Sequence, residues 1–334
     1  MNMNVRIASA AYAVPPGDEA VDAILEREHA RIEKALFPLS PDARQKAVNG
    51  LGMNRVRVCG DTKLYDLVLE AASKAVTEAG LKGRDINLIL DYSTWSAENS
   101  LGLSFAHRLS VDLAADAAMV LSFKVGGCAG LHVATKTALG WMATDSTIRN
   151  VLLVTGDAAP EGNRSLLPVT IHGDSGSAAI LCREGAEGPT LLGVQVMTLG
   201  HLQNAITMST TNGRPDIVVD AVCMERQVMP VYFYNMLSVI NQALHGCSLS
   251  LKDIDHFIYS NISRRDREGF CKMVGLPKGG LPPSPMAEYG HTFASDLLIN
   301  YVNMRRDGLI RPGQLLLFAS AGIGFSWGAT IARA

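Results

Sequence analysis

The sequence predicts an α/β protein of two related halves, stacked as a five-layered αβαβα sandwich. Three observations carry this. Apolar strand patterns alternate with helical ones along the whole chain, which implies parallel-rich sheets covered on both faces. One run of features recurs in the second half in the same order. Two residues with chemical potential, Cys128 and His291, fall at corresponding places in the two copies.

The elements follow in sequence. The first is a strand, RIASAAYAVP, ended by Pro15-Pro16-Gly17, and its counterpart is LLGVQVMTLG from Leu191. Apolar residues at helical spacing from Leu64 to Ala79 predict a helix. It leads into AGLKGRDINLILDYSTW, a loop, an acidic turn at Asp85 and a buried strand over Ile86 to Tyr92. The second copy has a helix from Met236 to Leu244, then CSLSLKDIDHFIYSNIS with the same loop, acid and strand. Next comes VGGCAGLHVATKTALGWM, a glycine turn opening a helix of small residues, followed by the strand VLLVTGD. It corresponds to EYGHTFASDLLINYVNM followed by LLLFASAG. Cys128 lies 23 positions before Val151, and His291 lies 24 before Leu315. The halves divide at 1–186 and 187–334. In such architectures ligands gather at the carboxyl ends of strands, where helix N-termini point.

Bulk properties remove several classes of function. Of 334 residues, 48% are hydrophobic and 19% charged, an ordinary globular composition. A net charge of −2 argues against a nucleic-acid binder, whose usual mark is a basic excess. The N-terminus has no basic segment followed by a long apolar one, so no signal peptide is read, and no uninterrupted apolar run reaches membrane-spanning length. The six cysteines show neither CxxC nor Cys/His spacing, which fits a reducing cytoplasm without disulfides or a metal site. No dinucleotide or Walker glycine pattern is present, so no cofactor is expected.

Cys128 follows Gly126-Gly127 and opens a helix. There its thiolate would be stabilised by the dipole and by free N–H groups, although a lone cysteine is also a common buried small hydrophobe. Cys59, Cys182, Cys223, Cys247 and Cys271 are read as buried apolar residues. His172 and His256 read as strand-edge residues, and His29, His107, His132 and His245 carry no signal.

SFKVGGCAGLHVATKTA resembles the nucleophile segment of the ketoacyl-ACP synthase III family, in the thiolase superfamily. GDSGSAAILCRE (173–184) resembles that family's Gly-Asp-Gly-Ala strand, and ASAGIGFSWGATIARA (319–334), with Trp327-Gly328, resembles its C-terminal signature. The resemblance implies a thiolase-like sandwich, a homodimer joined around Ala117 to Phe123, and Cys128 as the acyl-carrying nucleophile. It also implies an oxyanion hole from the backbone N–H groups of Cys128 and Ile323; loss of one such donor costs about 3–4 kcal/mol.

The sequence also departs from the family. Decarboxylating members use a Cys-His-Asn triad, but the His position here reads Ser260 and the Asn position reads His291, with Asn261 one place off register. A serine and one histidine do not reproduce two donors aimed at an enolate oxygen. His291 is instead followed five residues later by Asp296, and acyltransferase-type relatives in natural-product pathways are similar in this spacing. The resemblance therefore implies a catalytic set of Cys128, His291 and Asp296: acyl carrier, base and orienting acid. Residues five apart diverge by about 140° on a helix, so the pairing needs His291 in the loop ahead of it. Asp296 also reads as an ordinary first-turn acid. His201 is a weaker candidate near the pocket. Arg264, Arg265 and Arg267 form a basic cluster, and the family places Arg265 towards the phosphopantetheine carrier.

Three functions are compatible with these residues: acyl transfer from coenzyme A or an acyl carrier protein to a hydroxyl or amine, carbon–carbon bond formation with a rewired triad, and a non-catalytic subunit of a heteromeric synthase. The retained Cys128 disfavours the third and the missing His and Asn disfavour the second.

Overall fold

The structure, a computed structural model, describes residues 4–30, 32, 41–95, 104–124, 126–183, 185–211, 214–276 and 281–334. Val125 of the glycine turn and Glu184 of the segment after it lie outside the described residues.

Five strands form a first sheet: β1 (Arg6–Ala13), β2 (Leu88–Asp91), β3 (Met119–Ser122), β4 (Asn150–Asp157) and β5 (Ser175–Cys182). Their order is β1-β5-β4-β2-β3. A second sheet holds β6 (Thr190–Thr198), β7 (His256–Tyr259), β8 (Leu315–Gly322) and β9 (Ser326–Arg333), in the order β6-β9-β8-β7. The two repeat one topology. β2 runs parallel to β4, and β7 parallel to β8. β5 is antiparallel to β4 and β1, and β9 to β8 and β6. β3 is the additional strand, at an edge. The sheets adjoin where Ile7 N donates to Pro189 O and Leu191 N to Val5 O, both at 2.8 Å, so the nine strands form one continuous array.

Helices α1 (Leu64–Glu78), α2 (Gly130–Thr144), α3 (Met229–Gly246), α4 (Arg264–Val274) and α5 (Asp296–Arg306) complete the frame. Successive strand residues face opposite ways, and both faces here are apolar. In β2, Leu88 and Leu90 pack in a core with Leu131 and Ala134 of α2 and Leu297 and Tyr301 of α5. Ile89 between them joins Val68 and Ala72 of α1. In β8, Leu316 and Phe318 share the α2–α5 core, whereas Leu317 and Ala319 pack with Met236 and Val239 of α3. The layers are therefore α1, first sheet, α2 with α5, second sheet, α3, as predicted. Strands β2, β4, β5 and β8 are buried on both faces, which explains why they read as nearly continuous apolar runs.

The repeat extends to turn chemistry. Asp85 Oδ2 accepts from Lys82 N at 2.8 Å, and Asp253 Oδ2 from Ser250 N at 2.7 Å, each closing a short turn before β2 and β7 respectively. One predicted helix is longer than expected: α3 begins at Met229, with Pro230 in a first turn that needs no N–H from it. Among the described residues, no helix is long and apolar enough to cross a membrane.

The reading of five cysteines as buried holds for Cys182 and Cys223, but Cys59, Cys247 and Cys271 are only half-buried. Cys271, for example, lies on the amphipathic helix α4, whose buried residues are Phe270 and Val274.

Candidate active site

Cys128 sits in the single turn Gly127–Ala129 that leads into α2, and is 5% exposed. The chain reaches it through two left-handed residues, Gly126 at φ 86° and Gly127 at φ 49°, a conformation that glycine adopts without strain. Gly127 also needs its bare Cα for space: a β-carbon there would lie 2.7 Å from the Ile323 nitrogen. The Cys128 turn and the Gly322–Gly324 turn thus touch backbone to backbone. Ser320 Oγ donates to the Cys128 carbonyl at 3.1 Å and ties β8 to the same turn.

His291 lies in the segment Gly290–Thr292 ahead of α5, outside the helix. Its Nε2 is 3.2 Å from Cys128 Sγ, and its Nδ1 is 2.6 Å from Asp296 Oδ2. Asp296 is the first residue of α5 and is fully buried. It accepts three further bonds, from Thr292 N at 2.8 Å, Thr292 Oγ1 at 2.6 Å and Asn261 N at 2.6 Å. Burial acts to raise the Asp296 pKa, but His291 and these donors outweigh it and hold the carboxyl below its ordinary value. For His291, burial acts to lower the pKa, and the Asp296 carboxylate with the Cys128 sulfur outweighs it, so the imidazole stands well above its ordinary value. Because Asp296 binds the Nδ1–H, Nε2 is the nitrogen that faces the sulfur.

Ser260 and Asn261 follow the end of β7, and the Asn261 N–H reaches Asp296. Asn261 is committed elsewhere: it exchanges amide bonds with Asn300, at 3.2 and 2.9 Å, and accepts from Arg267 at 3.2 Å. Arg267 also donates to Tyr259 O and Pro282 O. It therefore belongs to a part-buried structural network and not to a solvated basic cluster. Neither Ser260 nor Asn261 is among the described residues lining the cavity at Cys128.

That cavity, of ≈ 230 Å³, brings Cys128 and His291 together with Ile323, under walls that include Leu166, Val169 and Phe325. Arg265 also lines it and is exposed, and its guanidinium donates to Lys46 O at 3.4 Å. His201 is exposed and outside the lining.

His172 directly follows the short strand Thr170–Ile171 and bridges to His291, in keeping with the strand-edge reading, but it is also part of the site. It is 2% exposed, lines the cavity, and stacks on Phe293 with centroids 4.4 Å apart and planes 7° apart; its ring centre is 5.5 Å from that of His291. Its Nδ1 is 3.1 Å from Arg164 O, and since a carbonyl only accepts, Nδ1 carries the proton. Arg164 is itself fixed by a buried two-point pair with Asp174, at 2.7 and 2.8 Å. The one sequence signal is position: His172 directly precedes the Gly173-Asp174 segment.

Comparison with known proteins agrees with this architecture. Residues 244–334 match the family model for the C-terminal part of 3-oxoacyl-[acyl-carrier-protein] synthase III. The β-ketoacyl-[acyl-carrier-protein] synthase III of Synechococcus sp. (strain WH7803) is 25% identical over 299 residues, 85% of each chain. Among solved structures, 3-oxoacyl-[acyl-carrier-protein] synthase III from Aquifex aeolicus VF5 aligns with a TM-score of 0.82 at 18% identity, covering 99% of this chain and 100% of that one. ChlB3, described as an acyltransferase, aligns with a TM-score of 0.82 at 22% identity, covering 99% and 98%. The sandwich described above is the fold these enzymes share.

Proposed function

We propose that this chain, which is similar to the ketoacyl synthase III enzymes of the thiolase superfamily, is an acyltransferase that moves an acyl group from a coenzyme A or carrier-protein thioester through Cys128 to a hydroxyl or amine acceptor. One observation carries this reading: an unbroken contact chain from Cys128 Sγ through the His291 ring to Asp296.

Each residue has a role in a balanced sequence. With His291 protonated, Cys128 attacks the donor carbonyl as thiolate, and the oxyanion is held by the N–H groups of Cys128 and Ile323. The C–S bond to the donor breaks, and the leaving thiolate takes the proton from His291. Acylation removes the anionic sulfur that helped to raise the His291 pKa, so the ring is left neutral and ready as a base. It then removes the proton of the acceptor O–H or N–H as that atom attacks the acyl-cysteine, and Cys128 departs as thiolate beside a protonated His291. Asp296 fixes the tautomer and steadies the imidazolium.

Two details favour transfer over condensation. Asn261 is bound to Asn300 and Arg267, and Ser260 is not among the described residues lining the cavity, which weighs against either one helping His291 to hold an enolate oxygen. The donor would approach past Arg265, whose charge suits the acidic surface of a carrier or the phosphates of coenzyme A. The similarity in fold to the priming β-ketosynthase from the R1128 polyketide biosynthetic pathway favours a place in secondary metabolism. The test loads the protein with a panel of acyl thioesters and follows intact mass, then supplies alcohols and amines and identifies products by mass spectrometry. A single acyl adduct, absent in Cys128→Ala, is expected to discharge onto an acceptor. Release of carbon dioxide from a malonyl carrier, coupled to a ketoacyl product, would overturn the reading in favour of condensation.

A further inference from the structure

Helix α3 and the corner between β7 and α4 put two polar groups on one wall of the Cys128 cavity, with a third, Tyr259, within reach of both. Tyr232 and Asp266 line it alongside Cys128 and His291. Tyr259 is 1% exposed, and its ring is fixed by stacking on Phe270, centroids 4.0 Å apart and planes 9° apart. Asp266 is set in the first turn of α4, where its N–H donates to Ser263 Oγ at 3.2 Å. The carboxyl and the two phenols lie close enough to act on one another by charge and by side-chain hydrogen bonding. The bonding is loose: Asp266 Oδ2 and the hydroxyls of Tyr232 and Tyr259 are buried, and none meets a partner at full hydrogen-bond geometry. Buried polar atoms are normally satisfied, so a loosely bonded carboxyl and phenol lining the cavity are placed to take up a polar group that enters it. The surrounding wall is apolar, with Ile206, Met224 and Val228 among its members.

We propose that Asp266 and Tyr232, backed by Tyr259, form a recognition subsite for a hydroxyl or amino group borne on an otherwise apolar acceptor, placed beside the acyl-cysteine. A carboxyl and two phenols offer both lone pairs and protons, so a hydroxyl can be satisfied on both counts and an ammonium by the ionised acid. A carboxylate ligand would meet Asp266 unfavourably. Burial pushes the Asp266 pKa up to about 7, against the opposing influence of Tyr259, His291 and Arg267, so the group serves either as donor or as acceptor near neutrality. That the bound molecule is the acceptor rests on the transferase reading; the existence of the subsite does not.

The experiment labels Cys128 with chloroacetamides whose alkyl tails, over a ladder of lengths, end in methyl, hydroxyl or amine. Rates are read by intact mass and divided by each variant's rate with iodoacetamide. At the matching length the hydroxyl and amine tails are expected to label the wild-type protein roughly tenfold faster than the methyl tail, the worth of one good buried hydrogen bond. Asp266→Asn should lose the amine advantage and keep that of the hydroxyl, and Asp266→Asn with Tyr232→Phe should lose both. If the Asn variant does not fold, Tyr232→Phe alone, which deletes one oxygen, should shrink the hydroxyl advantage. Equal labelling by all three tails in the wild type, or an advantage that survives the double change, overturns the proposal. A tail preference without discharge of acyl-Cys128 to any alcohol or amine would keep the subsite and remove the transferase reading; discharge without a tail preference would do the reverse.

Discussion

Gly322 closes on Cys128 with no space between them: a β-carbon at position 322 would lie 2.4 Å from the Cys128 nitrogen and 1.9 Å from the Gly126 carbonyl oxygen. The residues come from different halves of the chain, one at the end of β8 and the other at the start of α2. Their contact sets the Ile323 nitrogen beside the nucleophile turn, where two N–H groups can converge on one oxygen.

Gly322→Ala should therefore separate the two turns and slow acylation of Cys128. Losing one preorganised oxyanion donor costs about 10²–10³ in rate, and a fall of that size is expected in single-turnover acylation followed by mass. Iodoacetamide labelling supplies the control for an intact thiol. Acylation at the wild-type rate would remove the assigned oxyanion hole.

His132 should make stability depend on pH in one direction. The ring is fully buried in α2, with Nδ1 2.7 Å from Thr330 Oγ1, and burial pushes its pKa down to about 3. Between about 6.5 and 3 the unfolded chain binds a proton at this site that the folded one does not, so stability is fully present above about 6.5 and falls as pH drops towards 3. The slope approaches about 1.4 kcal/mol per pH unit within that window. Asp157, raised to about 6 by burial, acts in the opposite sense, so the comparison needs a variant. Urea midpoints at pH 7.5 and 5 should diverge more in the wild type than in His132→Gln, and equal divergence would contradict the assignment.

Strand β3 ends the first sheet, and its residues Met119 to Leu121 are only partly buried. An edge strand with apolar side chains and unpaired backbone is a template for a second copy, and two-fold pairing there would run one sheet through both protomers. Light scattering at micromolar concentration should give twice the chain mass of 35.7 kDa. Amide exchange in β3 should slow as concentration rises. A monomer mass, or exchange independent of concentration, would count against this interface.

How much of this was legible in the sequence depends on the range of the contacts. The paired strands, the acidic turns at Asp85 and Asp253 and the matching positions of Cys128 and His291 are local patterns repeated, so periodicity and register found them. The position of His291 ahead of its helix was also readable, because the spacing to Asp296 demanded it. His172 was not: its place at the cavity comes from Phe293 and from the Arg164–Asp174 pair, contacts that no local pattern announces. Arg267 illustrates the opposite error. Beside Arg264 and Arg265 it reads as a surface charge, yet one helical step turns it inwards to Asn261 and Pro282. The Asp266 cluster draws on α3, β7 and α4 at once and exists only after packing.

The last prediction separates the two halves of the reaction. In His291→Ala the acyl group should still reach Cys128, more slowly, because the thiol remains at the helix N-terminus with its oxyanion donors. Transfer to the acceptor should fall by about 10²–10⁴, the usual worth of a positioned base. Asp296→Asn should cost no more than this, since the group orients the ring and does not itself carry the proton. Its signature lies in the pH profile. With the carboxylate gone, an influence that raises the His291 pKa is lost, while burial, which lowers it, remains. The pKa falls, so the limb of the transfer profile that reports a neutral His291 should move to lower pH. Rapid-quench measurement of acyl-enzyme formation and decay across pH tests both points. Unchanged decay in His291→Ala would assign the base elsewhere, and an unmoved limb in Asp296→Asn would reduce Asp296 to a first-turn helix acid.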